Sequence, residues 1–199
     1  MKRAILKTLF CALLAAFSAT AVQAADYHVT TAAELTAALN SAAASVEDDA
    51  IYLAAGTYNG NFKYNAVNSG GVSINAELGL NAEQVIVDAG GDAYALWLNG
   101  SNYYPSSSFK NITFQNGAGS EGLVSLVSGV TTLDGCIFKN SSNNGLSINS
   151  NGVVKIINSS SSNINLIGIN VKSPNIIIKK NYSKSQFSRH VFTSYRRFN

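Results

Sequence analysis

Charge is scarce in this sequence. Of 199 residues, 13% are Asp, Glu, Lys or Arg, where an average domain carries about one-quarter. Cysteine is nearly absent as well: two residues cannot build a disulfide scaffold or a four-thiolate zinc site. No arginine lies between Arg3 and Arg189, and neither His28 nor His190 has a partner in the sequence that suits zinc. General disorder is excluded by the opposite quantity, a hydrophobic content of 46%. The length suits one domain. What replaces charge is amide and hydroxyl: residues 99–183 hold 15 Asn and 17 Ser.

The few charges are unevenly placed. Lys2, Arg3 and Lys7 precede an uncharged apolar segment, Leu9 to Phe17, and Val22-Gln23-Ala24 sets small or aliphatic residues before a cut after Ala24. This pattern predicts a secretory signal peptide over residues 1–24. The apolar run is well short of the roughly 20 residues that span a bilayer, so no transmembrane segment is expected after cleavage. Cys11 lies inside that run without a lipid-anchor context. With the three leader cations set aside, 11 cations face 11 acids. Six of those cations, Lys179, Lys180, Lys184, Arg189, Arg196 and Arg197, lie in the last 21 residues, leaving residues 25–178 at a net −6. The basic whole-chain charge of +3 therefore does not describe the body, and nucleic acid is not an expected partner.

Tyr27-His28-Val29 reads as a short strand. Thr31-Ala32-Ala33-Glu34 matches a capping box, and Leu35, Ala38, Leu39 and Ala42 follow at helical spacing. One amphipathic helix is expected over about 32–45, with Glu47-Asp48-Asp49 as a solvated polar exit. Beyond residue 50, apolar-x-apolar triplets recur between Gly, Asn and Ser, the signal of short strands. They sort into two series. One runs through Ile51–Leu53, Val72–Ile74, Leu96–Leu98, Val124–Leu126, Leu146–Ile148 and Ile167–Ile169. The other runs through Phe62–Tyr64, Val85–Val87, Ile112–Phe114, Cys136–Phe138, Val154–Ile156 and Ile176–Ile178. Both advance with a period of about 20–30 residues, which predicts an all-β solenoid of about six coils over 50–183. Outer residues of each triplet face inward and the middle one outward, so Cys136 is expected in the core. Asn116, Asn140 and Asn158 sit two residues beyond second-series triplets and Asn181 three beyond the last, where stacked side-chain amides would form a structural ladder.

Leu35 through Asn40, then Asp49-Ala-Ile-Tyr-Leu-Ala-Ala-Gly-Thr-Tyr58, resembles the opening segment of right-handed parallel β-helix proteins of the pectin-lyase-like superfamily. Ile86-Val87-Asp88-Ala89-Gly90-Gly91 and Ile112-Thr113-Phe114-Gln115-Asn116-Gly117 are similar to that family's coil motifs. The resemblance covers about residues 26–183 and implies that the helix closes the first coil. It implies no single function, because the family includes lyases, hydrolases, esterases and adhesins. Hydrolases of this fold resemble one another in Asn-Thr-Asp, Asp-Asp and Gly-His-Gly motifs. Here the first and last do not occur, and the one Asp-Asp, Asp48-Asp49, precedes the first coil.

A lyase reading needs acidic calcium ligands and a basic proton abstractor. Asp88, Asp92 and Asp134 are the candidate metal ligands, with Asp88 and Asp134 about 10 Å apart if they flank equivalent strands two coils apart. Lys110, Lys139 and Lys155 are the nearest bases, with Lys139 and Lys155 directed outward by alternation. No cofactor is otherwise expected. Trp97 lies between inward Leu96 and Leu98 and so faces out; with Tyr103 and Tyr104 it would make a stacking platform for a sugar ring, unless the loop at 99–110 covers it. The expected function is a secreted or cell-surface module (periplasmic included), structural or glycan-binding, whose partner is an extracellular polysaccharide or cell-surface component. The alternative is a polysaccharide lyase, or the N-terminal part of one, acting by β-elimination. Residues 184–199 carry no strand pattern. They are expected to be an irregular basic tail, folded over the last coil or left by truncation of a longer helix.

Overall fold

The computed structural model of the protein describes residues 23–100, 102, 104–183 and 189–194; residues 1–22, most of the segment expected to be a leader, lie outside them. A lead-in strand β1 (Asp26–Val29) and a helix α1 (Ala32–Ala44) precede six turns of three strands each. The first turn comprises β2 (Asp49–Leu53), β3 (Gly56–Asn59) and β4 (Phe62–Asn65), and the second β5 (Val72–Ala76), β6 (Val85–Asp88) and β7 (Leu96–Asn99). The third holds β8 (Ser107–Lys110), β9 (Thr113–Gly117) and β10 (Val124–Ser128), and the fourth β11 (Thr131–Asp134), β12 (Ile137–Ser141) and β13 (Leu146–Ser150). The fifth is β14 (Val153–Ile157), β15 (Ser160–Ile164) and β16 (Ile167–Ser173); the sixth is β17 (Asn175–Lys179), β18 (Tyr182–Ser183) and β19 (Arg189–Ser194). Every third strand pairs in parallel, giving sheets ordered β1-β2-β5-β8-β11-β14-β17, β3-β6-β9-β12-β15-β18 and β4-β7-β10-β13-β16-β19. The chain is a parallel β-solenoid.

The two triplet series are corrected to three sheets. Ile51 and Val72 stand in the first sheet, whereas Leu96, Val124, Leu146 and Ile169 stand in the third. Strands β8, β11 and β15 escape the apolar pattern because they turn Ser107, Thr131 and Ser161 inward, each buried. These hydroxyls find partners inside: Ser107 Oγ lies 3.2 Å from Thr131 Oγ1, which also bonds Ser128 Oγ. A buried serine column at the corner before the first sheet works alike. Ser150 Oγ donates to the Gly129 carbonyl at 2.5 Å and Ser173 Oγ to the Gly152 carbonyl at 2.8 Å. The tail, which carries no strand signal, supplies β19, paired in parallel with β16 along one edge with an irregularity between Ile167 and Ile169.

Helix α1 begins with the expected capping box: Glu34 N–H donates to Thr31 Oγ1 at 3.2 Å and Thr31 N–H to Glu34 Oε2 at 3.1 Å. It buries Leu35, Ala38, Leu39, Ala42 and Ala43 against β1, β2 and β4, closing the first turn. In the polar segment after it, Glu47 and Asp48 are exposed as expected, but the last acid is not. Asp49 begins β2 on an inward position and is 2% exposed.

Polar ladders run along two corners. At one, Asn163 Nδ2 donates to Asn140 Oδ1 (2.9 Å), Asn140 Nδ2 to Asn116 Oδ1 (3.3 Å), and Asn116 Nδ2 to both oxygens of Asp88 (3.0 and 2.9 Å). Asn158 and Asn181 belong to the other corner, where Asn158 Nδ2 donates to Asp134 Oδ1 at 2.8 Å and Asn181 Oδ1 accepts from Ser159 N–H at 2.7 Å. The single expected ladder is thus two, because strands of similar length put a turn at the same offset on each corner. Asn116, Asn140 and Asn163 all have φ near +50 to +62°, a left-handed conformation that Asn tolerates better than most residues. Replacing Asn140 by alanine is expected to cost about 1 kcal/mol more than replacing it by glycine. Both lose the amide bonds but only alanine is strained at this φ; urea denaturation followed by circular dichroism measures the difference.

Candidate glycan-contact face

The outer surface of the third sheet carries Trp97, with Tyr94 beside it, both half-buried. Alternation along β7 turns Leu96 and Leu98 into the core and Trp97 out, where it is half-buried. Parallel register then sets Lys63 of β4 on one side of Trp97 and Ser125 of β10 on the other, continuing through Ser147 and Asn170. A second outward row holds Asn65, Asn99, Val127, Asn149 and Lys172. The face is thus a strip of Ser and Asn interrupted by Val127 and Lys172, with Ser125 buried at 8% exposure next to the one indole at its N-terminal end.

Tyr94, three residues before Trp97, completes the cluster. Its ring centroid lies 6.2 Å from that of Trp97, with the planes at 39°. Lys63 Nζ sits 5.7 Å from the Trp97 centroid and 5.8 Å from the Tyr94 centroid, within the range at which a ring quadrupole attracts a cation. The loop that carries Tyr94 is held from below: Asn61 Nδ2 donates to Asp92 Oδ2 at 2.9 Å and Asn61 Oδ1 accepts from Tyr94 N–H at 3.3 Å. Asp92, a candidate metal ligand by sequence, here fixes the loop beside the tryptophan.

Tyr94 is thus a neighbour of Trp97 not named from the sequence. Tyr104 stands in the loop after β7 with φ +49°, and its ring makes no ring contact with Trp97 among the described residues; Tyr103 lies outside them. Tyr94 was in reach of sequence reading through its distance of three residues from Trp97. Lys63 was not, since only the register brings it across.

The candidate metal ligands stand on different elements. Asp88 ends β6 and accepts from Gln115 Nε2 (2.5 Å), Gly90 N–H (2.7 Å) and Asn116. Burial alone would raise its pKa, but these hydrogen bonds and the charge of Lys139 outweigh it and hold the carboxyl below its ordinary value. Asp134 ends β11 in another sheet and serves Asn158. Among the described residues no three His, Cys, Asp or Glu side chains are grouped to hold a metal. Cys136 is fully buried, and burial pushes its thiol up to about 12, which suppresses the nucleophilic thiolate. His28 stacks on Tyr52 at 5.0 Å and meets Glu77 Oε1 at 3.3 Å. No helix among the described residues is long and apolar enough to cross a membrane.

These features define a class, the parallel β-solenoid with a helix against its first turn. No family model matches the chain, and neither a curated protein nor a solved structure gives a significant match.

Proposed function

We propose that this protein is a secreted or cell-surface β-helix module, related to the pectin-lyase-like superfamily, that binds an extracellular polysaccharide on the outer face of its third sheet. The observation that carries the reading is Lys63 set between Trp97 and Tyr94 at the end of a strip of Ser and Asn. A sugar ring offers C–H groups to an aromatic face and hydroxyls to amides around it. Lys63 adds a cation where a uronate would carry its carboxylate, so acidic glycans fit better than neutral ones. The leader pattern of residues 1–24 supports export to the compartment where such polymers occur.

Trp97→Ala is expected to weaken binding to a uronate-bearing polysaccharide about tenfold, the effect of losing roughly 1.4 kcal/mol of contact. Lys63→Gln is expected to narrow the preference for acidic over neutral glycans while leaving the fold intact. Affinity electrophoresis against polygalacturonate, alginate and neutral glucans measures both; equal retention of wild type and Trp97→Ala on every polymer removes this site. Incubation of the same protein with polygalacturonate and calcium tests the lyase alternative, since an unsaturated, ultraviolet-absorbing product would replace binding by β-elimination.

A further inference from the structure

One buried carboxyl group is only half satisfied by the fold. Asp49, 2% exposed, keeps Oδ2 wholly buried and without a hydrogen-bond partner among the described residues. An unpaired oxygen of this kind opposes folding. Its other oxygen, Oδ1, accepts one bond, from the backbone N–H of Ala25 at 2.7 Å. That nitrogen belongs to the first residue after the predicted leader cut. Gln23 and Ala24 are exposed and Ala25 is half-buried, so the Ala24–Ala25 bond runs from solvent to the edge of the core. Ala25 is fixed there by its carbonyl, which accepts from Ala50 N–H at 2.9 Å, and by β1, which pairs with β2 from Asp26 onward.

We infer that cleavage of the Ala24–Ala25 bond creates the missing partner: the new α-ammonium of Ala25 pairs with the buried carboxylate of Asp49 and locks β1 onto the first turn. This inference rests on the leader reading of residues 1–24. In the cut, water adds across the amide, the C–N bond breaks, Ala24 leaves as a carboxylate and the Ala25 nitrogen takes up protons to become –NH3+. A signal peptidase that cleaves after a small residue is the class of enzyme required. Before the cut the nitrogen has one hydrogen, spent on Oδ1. Afterwards it has three and a positive charge, so one donor stays on Oδ1 and a second turns to Oδ2 of the same carboxylate. Among the described residues no salt bridge to a side chain is seen at Asp49. Neighbouring Asp48 is occupied by Gly71 N–H at 2.6 Å. Tyr64, buried nearby, has its phenol pushed up to about 12 by burial first and then by Asp49 and Asp48. Removing a leader thus becomes a maturation step that completes the core at the capped end.

The test uses the full chain secreted through its own leader. Mass spectrometry is expected to place the mature N-terminus at Ala25; any other start overturns the cut position, and the leader reading with it if residues 1–24 are retained. Chemical N-α-acetylation of the mature protein, or one extra Gly before Ala25, is expected to lower the thermal midpoint by about 5–10 °C. In Asp49→Asn the same block is expected to shift it by less than about 1 °C, since the carboxylate it acts through is gone. An unchanged midpoint on blocking the native protein, or an equal shift in Asp49→Asn, overturns the pairing even if the mature chain starts at Ala25. Should Asp49→Asn fail to fold, the unaltered protein still decides. Its Ala25 amine is expected to react with an acylating reagent at least tenfold more slowly when folded than when unfolded, and equal rates overturn the proposal.

Discussion

Phe114→Ala is expected to destabilise the protein by about 3–5 kcal/mol, the usual cost of truncating a buried phenylalanine. Phe114 is 1% exposed on an inward position of β9. Its ring stacks on Phe138 of the next turn at 5.7 Å with planes 7° apart, and meets Phe109 of its own turn edge-on at 6.4 Å and 77°. The side chain therefore holds one turn to the next and one sheet to another. A solenoid's stability is close to a sum of turn terms and neighbour-interface terms, so a lesion here weakens the third turn and the interface to the fourth together. Phe114→Leu keeps most of the volume and is expected to cost less than about 1.5 kcal/mol. Ile177→Ala is expected to cost less again, because Ile177 is 42% exposed at the far end of the first sheet. Urea denaturation ranks the three; a Phe114→Ala protein within about 1 kcal/mol of wild type would show that the aromatic stack does not join the turns.

Much of this architecture is legible in the sequence, for a physical reason that also marks where it stops being so. Inward positions that are apolar on both sides of an outward one leave a triplet, and stacked turns repeat it; hence the period, the core and the outward Trp97. The capping box and the 3.6-residue spacing of Leu35, Ala38, Leu39 and Ala42 are equally local. Strands β8, β11 and β15 are not legible, because Ser107, Thr131 and Ser161 are satisfied by neighbours brought in by folding. Sheet membership is hidden too. Register partners Asp49, Val72, Ser107, Thr131, Val154 and Ile176 are spaced 23, 35, 24, 23 and 22 residues apart. The long second turn shifts every later triplet, so an apparent series crosses from one sheet to another. The site fails in the same place: Lys63 reaches Trp97 through register alone, and Asp49 reads as one acid of three until β2 is seen to start on it.

Asp88→Ala is expected to be the most costly change on the outside of the solenoid, about 2–3 kcal/mol at neutral pH. Hydrogen bonds to a charged acceptor are worth roughly 1.5–3 kcal/mol each, discounted here because the carboxylate is only half-buried. Three groups lose their acceptor at once: Gln115 Nε2, Asn116 Nδ2 and Gly90 N–H. Asn116 in turn positions Asn140 and Asn140 positions Asn163, so the head of the ladder governs the order of those below it. The pH dependence follows from the direction of the shift. The Asp88 carboxyl is held below its ordinary value of 3.8 in the folded state, so the folded state binds the proton less readily than the unfolded chain. Its contribution is present in full above the unfolded value, near 4, and is lost as pH falls through the lower folded value. The stability gap between wild type and Asp88→Ala is therefore expected to be flat from neutral pH down to about 5 and to shrink steadily below about 4. Asp88→Asn is expected to be destabilised as well, since its NH2 group turns a donor toward the donors of Gln115 and Asn116. Its gap from wild type should close over the same acid window. Denaturation midpoints collected between pH 2 and 7 for the three proteins check this. A gap that does not change with pH would mean that the ladder is held by shape, and that the charge of Asp88 is incidental to it.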